Sequence, residues 1–566
     1  MSRSFALFVY ALTAAFFGLF FLWPIVNTLG GAFVDVSGHF TWRYVAEIFR
    51  NPIYVEGLRN ALLLALASTG AAFVLALPLA WLADRFEFPG KKLFGALLLA
   101  PMILPPFVGA IGIKKILGQE GALNALFQSI GLLRPEQTVD WLGRHQFWGV
   151  VALNALHLYP ILYLNVAAAL ANIDPAMEEA AENLGCTGLR KFWKITLPLI
   201  APGVFAGGTI VFIWAFTELG TPLLLDYTRV TPVQIFYGIK DLGSNPLPYA
   251  LVAVTLVATA LLYFASRLFF GRKVNDLTMM AKATSRGGPR AVSAWAGAGC
   301  AAAFAFVIFL ALLPHLGVVL VAFSSDWYDT VLPRGWTLEN FRVALGHPLT
   351  VPSIGNSLKY AALSTVFDAA LGVGIAYVVV RTRLAGRQWL DALAMLPLAV
   401  PGLVLAFGYL AMTQEGRLFA FLNPVKNALP LLVIAYAVRR LPYMVRSASA
   451  GYQQTSVTLE EAAQNLGASP WRATRKITLP LIAANLLAGG LLTFSFAMLE
   501  VSDSLLLAQK QEDFPITKAI YELFQLLGTG RAVASALGVW AMVFLGVTIL
   551  GASLLLGKKM GALFRA

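Results

Sequence analysis

Long apolar stretches alternate with short polar segments along the whole chain. A helix needs about 20 consecutive apolar residues to cross a bilayer, so each stretch of this size predicts one membrane span. The pattern gives twelve spans: 4–34, 60–83, 93–113, 146–173, 195–217, 242–266, 291–325, 360–380, 392–414, 427–445, 477–499 and 532–557. The first stretch is too long for a secretory signal and lacks a clear small-residue cleavage site, so it is interpreted as an uncleaved span. The tenth stretch is weak, and the seventh is long enough to contain a re-entrant segment.

The composition supports an all-α integral membrane protein. Hydrophobic residues make up 58% of the 566 residues, charged residues make up 13%, and the mean hydropathy is +0.72. A soluble chain is about 45–50% apolar and about 25% charged. A soluble enzyme, a disordered chain and a disulfide scaffold are therefore excluded. The two cysteines, Cys186 and Cys300, are far apart, which leaves neither a redox pair nor a cysteine metal site.

The charges predict an orientation. If the N-terminus lies inside and the spans alternate, the inside segments carry +15 and the outside segments −1, with Asp368 inside a span completing the net +13. An excess of Lys and Arg on one side marks the cytoplasmic face. We therefore predict a multi-pass protein of the bacterial inner (plasma) membrane, in contact with lipid, with both termini in the cytoplasm. The charge placement also argues against nucleic acid as a partner.

The chain resembles itself at a fixed spacing. Residues 179–185 read EAAENLG and residues 461–467 read EAAQNLG, an offset of 282, and ITLP recurs at 195–198 and 477–480. Earlier in each half the offset is 296, which matches Asn60 to Asn356 and Gly112 to Gly408. Such a repeat predicts two tandem, parallel six-helix units. Their predicted bounds are 1–270 and 291–566, joined by a polar, basic cytoplasmic linker at 271–290.

The repeated motif lies in the large inside loops, 174–198 and 456–480. Asp174 and Ser456 are typical helix N-caps, and the acidic first turns at 178–179 and 460–461 suit the positive end of a helix. Gly185 and Gly467 follow where each short helix ends. We expect two short helices at a fixed angle in each loop. A simple surface hairpin is the alternative, but it gives no reason for so close a repeat.

Both loops resemble a known signature. Glu-Ala-Ala, three residues, Gly, nine residues and Ile-x-Leu-Pro is the EAA motif of binding-protein-dependent ABC importer permeases, and the resemblance covers the chain as two permease units. It implies that each loop carries a coupling helix that docks on an ATP-binding subunit. The implied contact residues are Glu179, Ala180, Ala181, Gly185, Glu461, Ala462, Ala463 and Gly467. Cys186 departs from the family, which often has alanine there, as at Ala468.

No motif for ATP hydrolysis is present. A P-loop needs Gly-x4-Gly-Lys-Ser/Thr, and the nearest segment, 551–559, has the wrong spacing and lacks the hydroxyl. We therefore expect that the chain is not an enzyme and binds no cofactor or metal. The resemblance implies two separate ABC ATPase subunits, which hold ATP and Mg, and an extracytoplasmic solute-binding protein as partners. The five histidines are scattered and indicate no catalytic or metal site.

Ionisable residues within a membrane are candidates for function because they are costly in lipid. Glu218 and Glu500 occupy equivalent positions near the outer ends of the fifth spans of the two halves. We predict that they line the substrate pathway, although surface exposure or structural hydrogen bonds would also explain them. Asp368 has no counterpart, because Ala72 stands at the matching position, and no role is assigned to it.

The resemblance also suggests a substrate. The fused chain and the segment Glu-Leu-Gly-x-Pro-Leu at 218–223 look most like the ferric-iron branch, in which iron enters the cytoplasm by alternating access. Thiamine, aminoethylphosphonate and polyamine importers remain alternatives, and sulfate permeases are near relatives. A secondary transporter driven by an ion gradient would have a discontinuous helix and paired charges at mid-membrane, and the two docking loops argue against it. A membrane enzyme would need a convergent catalytic set.

Overall fold

The computed structural model describes residues 3–35, 37–102, 106–143, 146–280 and 290–556, and helices dominate the fold. Within these ranges, ten helices are long and apolar enough to cross a bilayer. They are Phe5–Phe33, Pro52–Arg85, Phe147–Ala171, Gly188–Thr217, Leu247–Ala265, Ala294–Phe323, Thr350–Arg381, Ala428–Gln454, Trp471–Met498 and Gly530–Thr548. Each lies on one of the predicted apolar stretches, which confirms an all-α membrane fold.

The third and ninth predicted spans are sharply bent rather than straight. Helix Lys91–Met102 meets Pro106–Ser129 at 95°, and Arg387–Ala399 meets Gly402–Met412 at 97°. The count reaches twelve only if each bent pair is one span. The stretches that looked irregular in the sequence, the seventh and the tenth, are instead continuous helices.

In the sequence, a pair of closely spaced prolines lies at each break. A proline inside a helix removes a backbone hydrogen bond and clashes with the preceding turn. The third stretch contains Pro101 and Pro105, and the ninth contains Pro397 and Pro401 at the same offset of 296. The repeated pair of prolines was the sequence signal for a broken span.

The elements are labelled in chain order. The helices of residues 1–290 are α1 (Arg3–Phe17), α2 (Trp23–Phe33), α3 (Arg43–Arg50), α4 (Pro52–Arg85), α5 (Lys91–Leu97), α6 (Pro106–Leu117), α7 (Ala122–Ser129), α8 (Phe147–Ala171), α9 (Pro175–Asn183), α10 (Gly188–Lys191), α11 (Leu197–Thr217), α12 (Gly220–Leu224), α13 (Thr231–Gly238) and α14 (Leu247–Met280). Residues 271–280 of the predicted linker thus continue a helix, and 281–289 lie outside the described residues.

The remaining α-helices follow the same order. They are α15 (Ala294–Phe323), α16 (Glu339–Gly346), α17 (Thr350–Arg381), α18 (Arg387–Met395), α19 (Gly402–Met412), α20 (Ala428–Gln454), α21 (Val457–Asn465), α22 (Pro470–Ala473), α23 (Leu479–Met498), α24 (Ser502–Leu507), α25 (Ile516–Gln525) and α26 (Gly530–Leu556). Short 3₁₀ turns occur at Ala100–Met102, Ile239–Asp241, Leu396–Ala399, Ala420–Leu422 and Gln511–Asp513. A π-helical turn, Gly18–Leu22, joins α1 and α2 into the first span.

Strands are few and short in the described part of the chain. Strand β1 (Phe86–Glu87) pairs in parallel with β2 (Arg290–Ala291), with Phe86 opposite Arg290. Strand β3 (Ser324–Asp326) pairs antiparallel with β4 (Gly335–Trp336), with Ser324 opposite Trp336. Both are local ties between loops, so helix packing defines the fold.

The contacts divide the described residues into two compact units that do not coincide with the sequence halves. One unit takes its residues from 1–55, 231–257 and 338–563, and the other from 56–230 and 258–337. The first span of the chain therefore packs with helices of the second half, and α15 packs with helices of the first half. The bounds 1–270 and 291–566 describe the sequence repeat and stay a prediction. They do not describe the two packing units.

A close contact between a glycine and a proline holds α2 against α19 and α15 against α6. A Cβ added at Gly408 in α19 would overlap the carbonyl of Pro24 in α2, and one added at Gly112 in α6 would overlap the carbonyl of Pro314 in α15. Tyr409 Oη also donates to Phe20 O at 2.7 Å. The repeated glycines thus mark backbone-to-backbone approach, which a side chain would prevent.

Candidate functional site

The first repeated loop begins with a capped short helix, α9. Asp174 accepts a hydrogen bond from the backbone N–H of Ala176 at 3.0 Å, and a proline fills the first helical position. At the other end Gly185 has φ +78°, and Cys186 N donates to Ala181 O at 2.9 Å. This Schellman closure ends the helix and turns the chain towards α10.

The second loop repeats this geometry in α21. The Ser456 hydroxyl accepts from Thr458 N at 3.3 Å, Gly467 has φ +87°, and Ala468 N donates to Ala463 O at 3.0 Å. In both loops a π-helical turn, Phe192–Thr196 or Thr474–Thr478, then leads into the next span. The local structure is therefore conserved between the two loops down to the helix caps.

The predicted contact residues divide into exposed and buried positions. Those that face outward are Glu179, Ala180, Gly185, Glu461, Ala462 and Gly467. The other two, Ala181 and Ala463, are only 7% and 9% exposed. The exposed residues are therefore available to a partner, whereas the two buried alanines pack beneath their helices.

The most exposed apolar side chains of the loops were not among the predicted residues. Leu184 and Leu466, each directly before the turn glycine, are 87% and 90% exposed. Leu189 in the first loop and Trp471 in the second are exposed as well. An apolar side chain is therefore exposed at the same place in both loops. The signal in the sequence was a leucine repeated among polar residues.

A part-buried ion pair ties the first loop to the second span. Arg85, the last residue of α4, pairs with Glu178 in the first turn of α9, and Thr196 Oγ1 donates to the same carboxylate at 2.8 Å. Burial alone raises the pKa of Glu178. The hydrogen bonds from Arg85 and Thr196, with the charges of Arg85 and Lys191, outweigh this effect and leave the pKa below its ordinary value.

The second loop has the equivalent pair. Arg381, the last residue of α17, donates from Nε to Glu460 at 3.1 Å and from Nη2 to Thr455 O at 2.7 Å. Its guanidinium also lies 5.5 Å from the ring centre of Tyr452. Adjacent glutamates therefore differ in role, because Glu178 and Glu460 are buried in ion pairs while their neighbours face outward.

Glu218 caps the helix that follows it. Its carboxylate is half-buried and accepts hydrogen bonds from the Thr221 N–H at 3.3 Å and the Thr221 hydroxyl at 3.5 Å. A carboxylate at the N-terminus of α12 is favoured by the helix dipole. Its predicted role in the substrate pathway stays a prediction.

Glu500 lies in a buried cluster of charges. It pairs with Arg439 at 2.5 Å and with Arg440, and Asp503 lies 3.7 Å from Arg439. The two arginines lie within α20, and the inside segments keep their excess of positive charge when both are left out. A buried carboxylate in a membrane needs such partners. This pairing is a structural alternative to a pathway role for Glu500, which stays a prediction.

Arg439 and its counterpart in the first half each contact the broken span of their own half. Arg439 packs its guanidinium directly against Gly402, the first residue of α19. The matching residue in the first half is His157, whose Nδ1 lies 2.7 Å from Pro101 O in the bent third span.

Asp368 is fully buried, and its carboxylate has no hydrogen-bond partner among the described residues.

No three metal-ligand side chains of His, Cys, Asp or Glu come together in the residues that the structure describes. The expectation that the chain binds no cofactor stays a prediction.

A sequence profile of the family described as binding-protein-dependent transport system inner membrane component matches the chain twice, over residues 58–276 and 369–557. One match falls in each half of the repeat. Each match contains one of the two loops, so the loops lie in the part of the chain that the family shares.

Known relatives align over most of the chain. The putative ferric transport system permease protein FbpB 1 of Haemophilus influenzae is 27% identical over 471 residues, or 82% of this chain and 70% of that protein. The ferric transport system permease protein FbpB of Actinobacillus pleuropneumoniae is 26% identical over 81% of this chain and 64% of its own length. The sulfate transport system permease protein CysT of Escherichia coli is 28% identical over 43% of this chain and 87% of its own length.

Proposed function

Because the chain belongs to the family of binding-protein-dependent transport system inner membrane components, we propose that it is the permease subunit of an ATP-driven importer. The observation that carries the proposal is the pair of loops with side-chain caps, turn glycines and exposed leucines at equivalent positions. A surface that is repeated so closely fits two copies of one partner. The permease passes a substrate from an extracytoplasmic binding protein into the cytoplasm by alternating access.

Each loop docks one ABC ATPase subunit, so one chain binds two. The exposed residues of α9 and α21 contact the ATPase, and Leu184 and Leu466 supply the apolar centre of each contact. ATP and Mg are held by the ATPase subunits, which carry out hydrolysis. Closure of the ATPase dimer draws the two loops together and switches access to the pathway. Both termini face the cytoplasm in this arrangement.

A transporter driven by an ion gradient is the main rival. Two features that it would have are present, namely broken spans and a buried cluster of opposite charges. A bent pair occurs in both halves, whereas the charge cluster involves residues of the second half. The two features are therefore not repeated together, and neither is specific to an ion-driven transporter. The family match and the repeated loops favour the ATP-driven importer.

Ferric iron is the proposed substrate. Two relatives named as ferric permeases align over more than four fifths of the chain, whereas the sulfate relative aligns over less than half. Glu218 and Glu500 are the proposed pathway carboxylates, and Glu218 is the one more open to solvent. Thiamine, aminoethylphosphonate, polyamine and sulfate are the alternatives.

The test is uptake into proteoliposomes that contain the chain with its ATPase and its binding protein. We expect uptake of radiolabelled ferric iron that requires ATP and the iron-loaded binding protein. Parallel samples offer thiamine, aminoethylphosphonate, spermidine and sulfate. Uptake of one of these in place of iron would reject the substrate and keep the importer. Uptake driven by an ion gradient without ATPase would reject the importer.

A further inference from the structure

The second span of each half is tied at both ends, at positions that repeat. We propose that α4 and α17 carry the movement of the docking loops across the membrane, to the loops that follow Glu218 and Glu500. The inference rests on the proposed function, because it takes the ATPase as the source of movement. It assigns positioning roles to Arg85, Arg381, Asn60 and Asn356.

The inner ends are tied to the docking helices. The Arg85–Glu178 and Arg381–Glu460 pairs join the last residue of each span to the first turn of α9 or α21. In the second pair the side chains are 6% and 8% exposed. Separating a buried ion pair leaves an uncompensated charge, which is strongly unfavourable. A displaced docking helix therefore moves the end of its span with it.

The outer end of α4 holds the loop that follows α12. Asn60 Nδ2 donates to Arg229 O at 2.8 Å, and the Arg229 guanidinium lies 3.3 Å from Glu56, one helical turn from Asn60. The loop thus contacts the span through both its backbone and a side chain. This loop leads from the α12 helix that Glu218 caps.

The outer end of α17 holds the corresponding loop more extensively. Asn356 Nδ2 donates to Glu512 O at 2.6 Å, and Tyr360 Oη donates to Asp513 O at 3.2 Å. Ile516 N donates to Ser357 Oγ at 2.7 Å. This loop follows α24 and therefore lies directly beyond Glu500 and Asp503.

Unbroken helix joins the two ties of each span, with Pro78 inside α4. From Asn60 to Arg85, and from Asn356 to Arg381, the chain is a single helix in the structure. At 1.5 Å per residue the two ties are about 37 Å apart, which is the thickness of a bilayer core with part of its interfaces. The asparagine and arginine positions both repeat at the offset of 296. Both ties therefore belong to the repeated unit.

The test uses the full complex of chain, ATPase and binding protein, with ATP hydrolysis measured with and without the loaded binding protein. We expect Arg381→Glu and Asn356→Leu each to reduce the stimulation at least tenfold, while basal hydrolysis and ATPase co-purification stay at wild-type levels. The double variant should be no worse than either single one, because both cut the same path. The Arg381→Glu, Glu460→Arg exchange should restore at least half of the stimulation. Arg85 and Asn60 variants repeat the test in the first half.

Matched controls are exposed charges beside each tie. Arg383→Glu at the inner end and Lys359→Leu at the outer end should leave stimulation unchanged. Wild-type stimulation in the tie variants would overturn the inference, as would an exchange variant no better than Arg381→Glu. Additive losses in the double variant would overturn it too. If the wild-type chain itself neither binds nor stimulates an ATPase, the proposed function fails and not merely this inference.

Discussion

Gly185 and Gly467 occupy a left-handed backbone conformation, with φ +78° and +87°, and no atom lies within 4 Å of a Cβ added at either. A β-branched side chain strains such a conformation by about 1–3 kcal/mol. We expect the Gly185→Val and Gly467→Val proteins to insert normally into the membrane. The amount of ATPase bound and the stimulated rate of ATP hydrolysis should each fall at least tenfold. Membrane insertion is measured by fractionation, and binding by co-purification.

Gly416 offers a matched control, because it also has φ +78° and open space around it but lies outside both loops. Gly416→Val introduces the same strain and should leave ATPase binding intact. If the two loop variants keep wild-type binding and transport, the loops are not the coupling elements.

The individual residues of the loops were only partly predictable. The caps at Asp174 and Ser456 and the turn at Gly185 follow from local rules, which depend on neighbours in sequence. The division between Glu178 and Glu179 does not, because it depends on Arg85, which lies 93 positions from Glu178. Long-range partners of this kind decide which of two adjacent carboxylates is buried.

Among the helices, Gly112 and Gly408 are in close contact with the backbone of a proline in a neighbouring helix. A methyl group at either would overlap a proline carbonyl, and overpacking of this kind costs about 1–3 kcal/mol. We expect Gly112→Ala and Gly408→Ala to lower the melting temperature of the purified protein. Gly70→Ala in α4 is the control, since nothing lies within 4 Å of its added Cβ and alanine favours helices. If the three alanine variants have equal melting temperatures, Gly112 and Gly408 are not in close contact with the proline carbonyls.

The helices themselves were largely predictable, because a run of apolar residues with few charges has few alternatives in a membrane. The breaks in the third and ninth spans were not predicted, although Pro397 and Pro401 signal the second of them. Hydropathy averages over a window and therefore does not register a bend.

For the molecule as a whole, the orientation rests on charge alone and needs a direct test. In a chain whose Cys186 and Cys300 are replaced by serine, single cysteines are placed at Ser285 and Gln128. An impermeant thiol reagent on intact cells should label Gln128→Cys and not Ser285→Cys. Labelling of Ser285→Cys would contradict the predicted orientation.

The repeat was predictable from the sequence, but the packing was not. Self-similarity shows that two segments adopt the same fold, and it carries no information on which neighbours each helix contacts. The first span therefore gave no sign that it packs with α19 through Pro24 and Gly408. The family match spans both halves and supports the repeat as the basis of function.

The number of ATPase subunits bound to one chain tests the central claim most directly. Native mass spectrometry of the purified complex should give one chain with two ATPase subunits. Leu184→Asp or Leu466→Asp alone should leave one ATPase, and both together none, because each removes the exposed apolar centre of one loop. Leu527→Asp, at a leucine that is 98% exposed outside both loops, should still give two. Two chains with two ATPases in the wild type, or two ATPases retained by the double variant, would contradict the account.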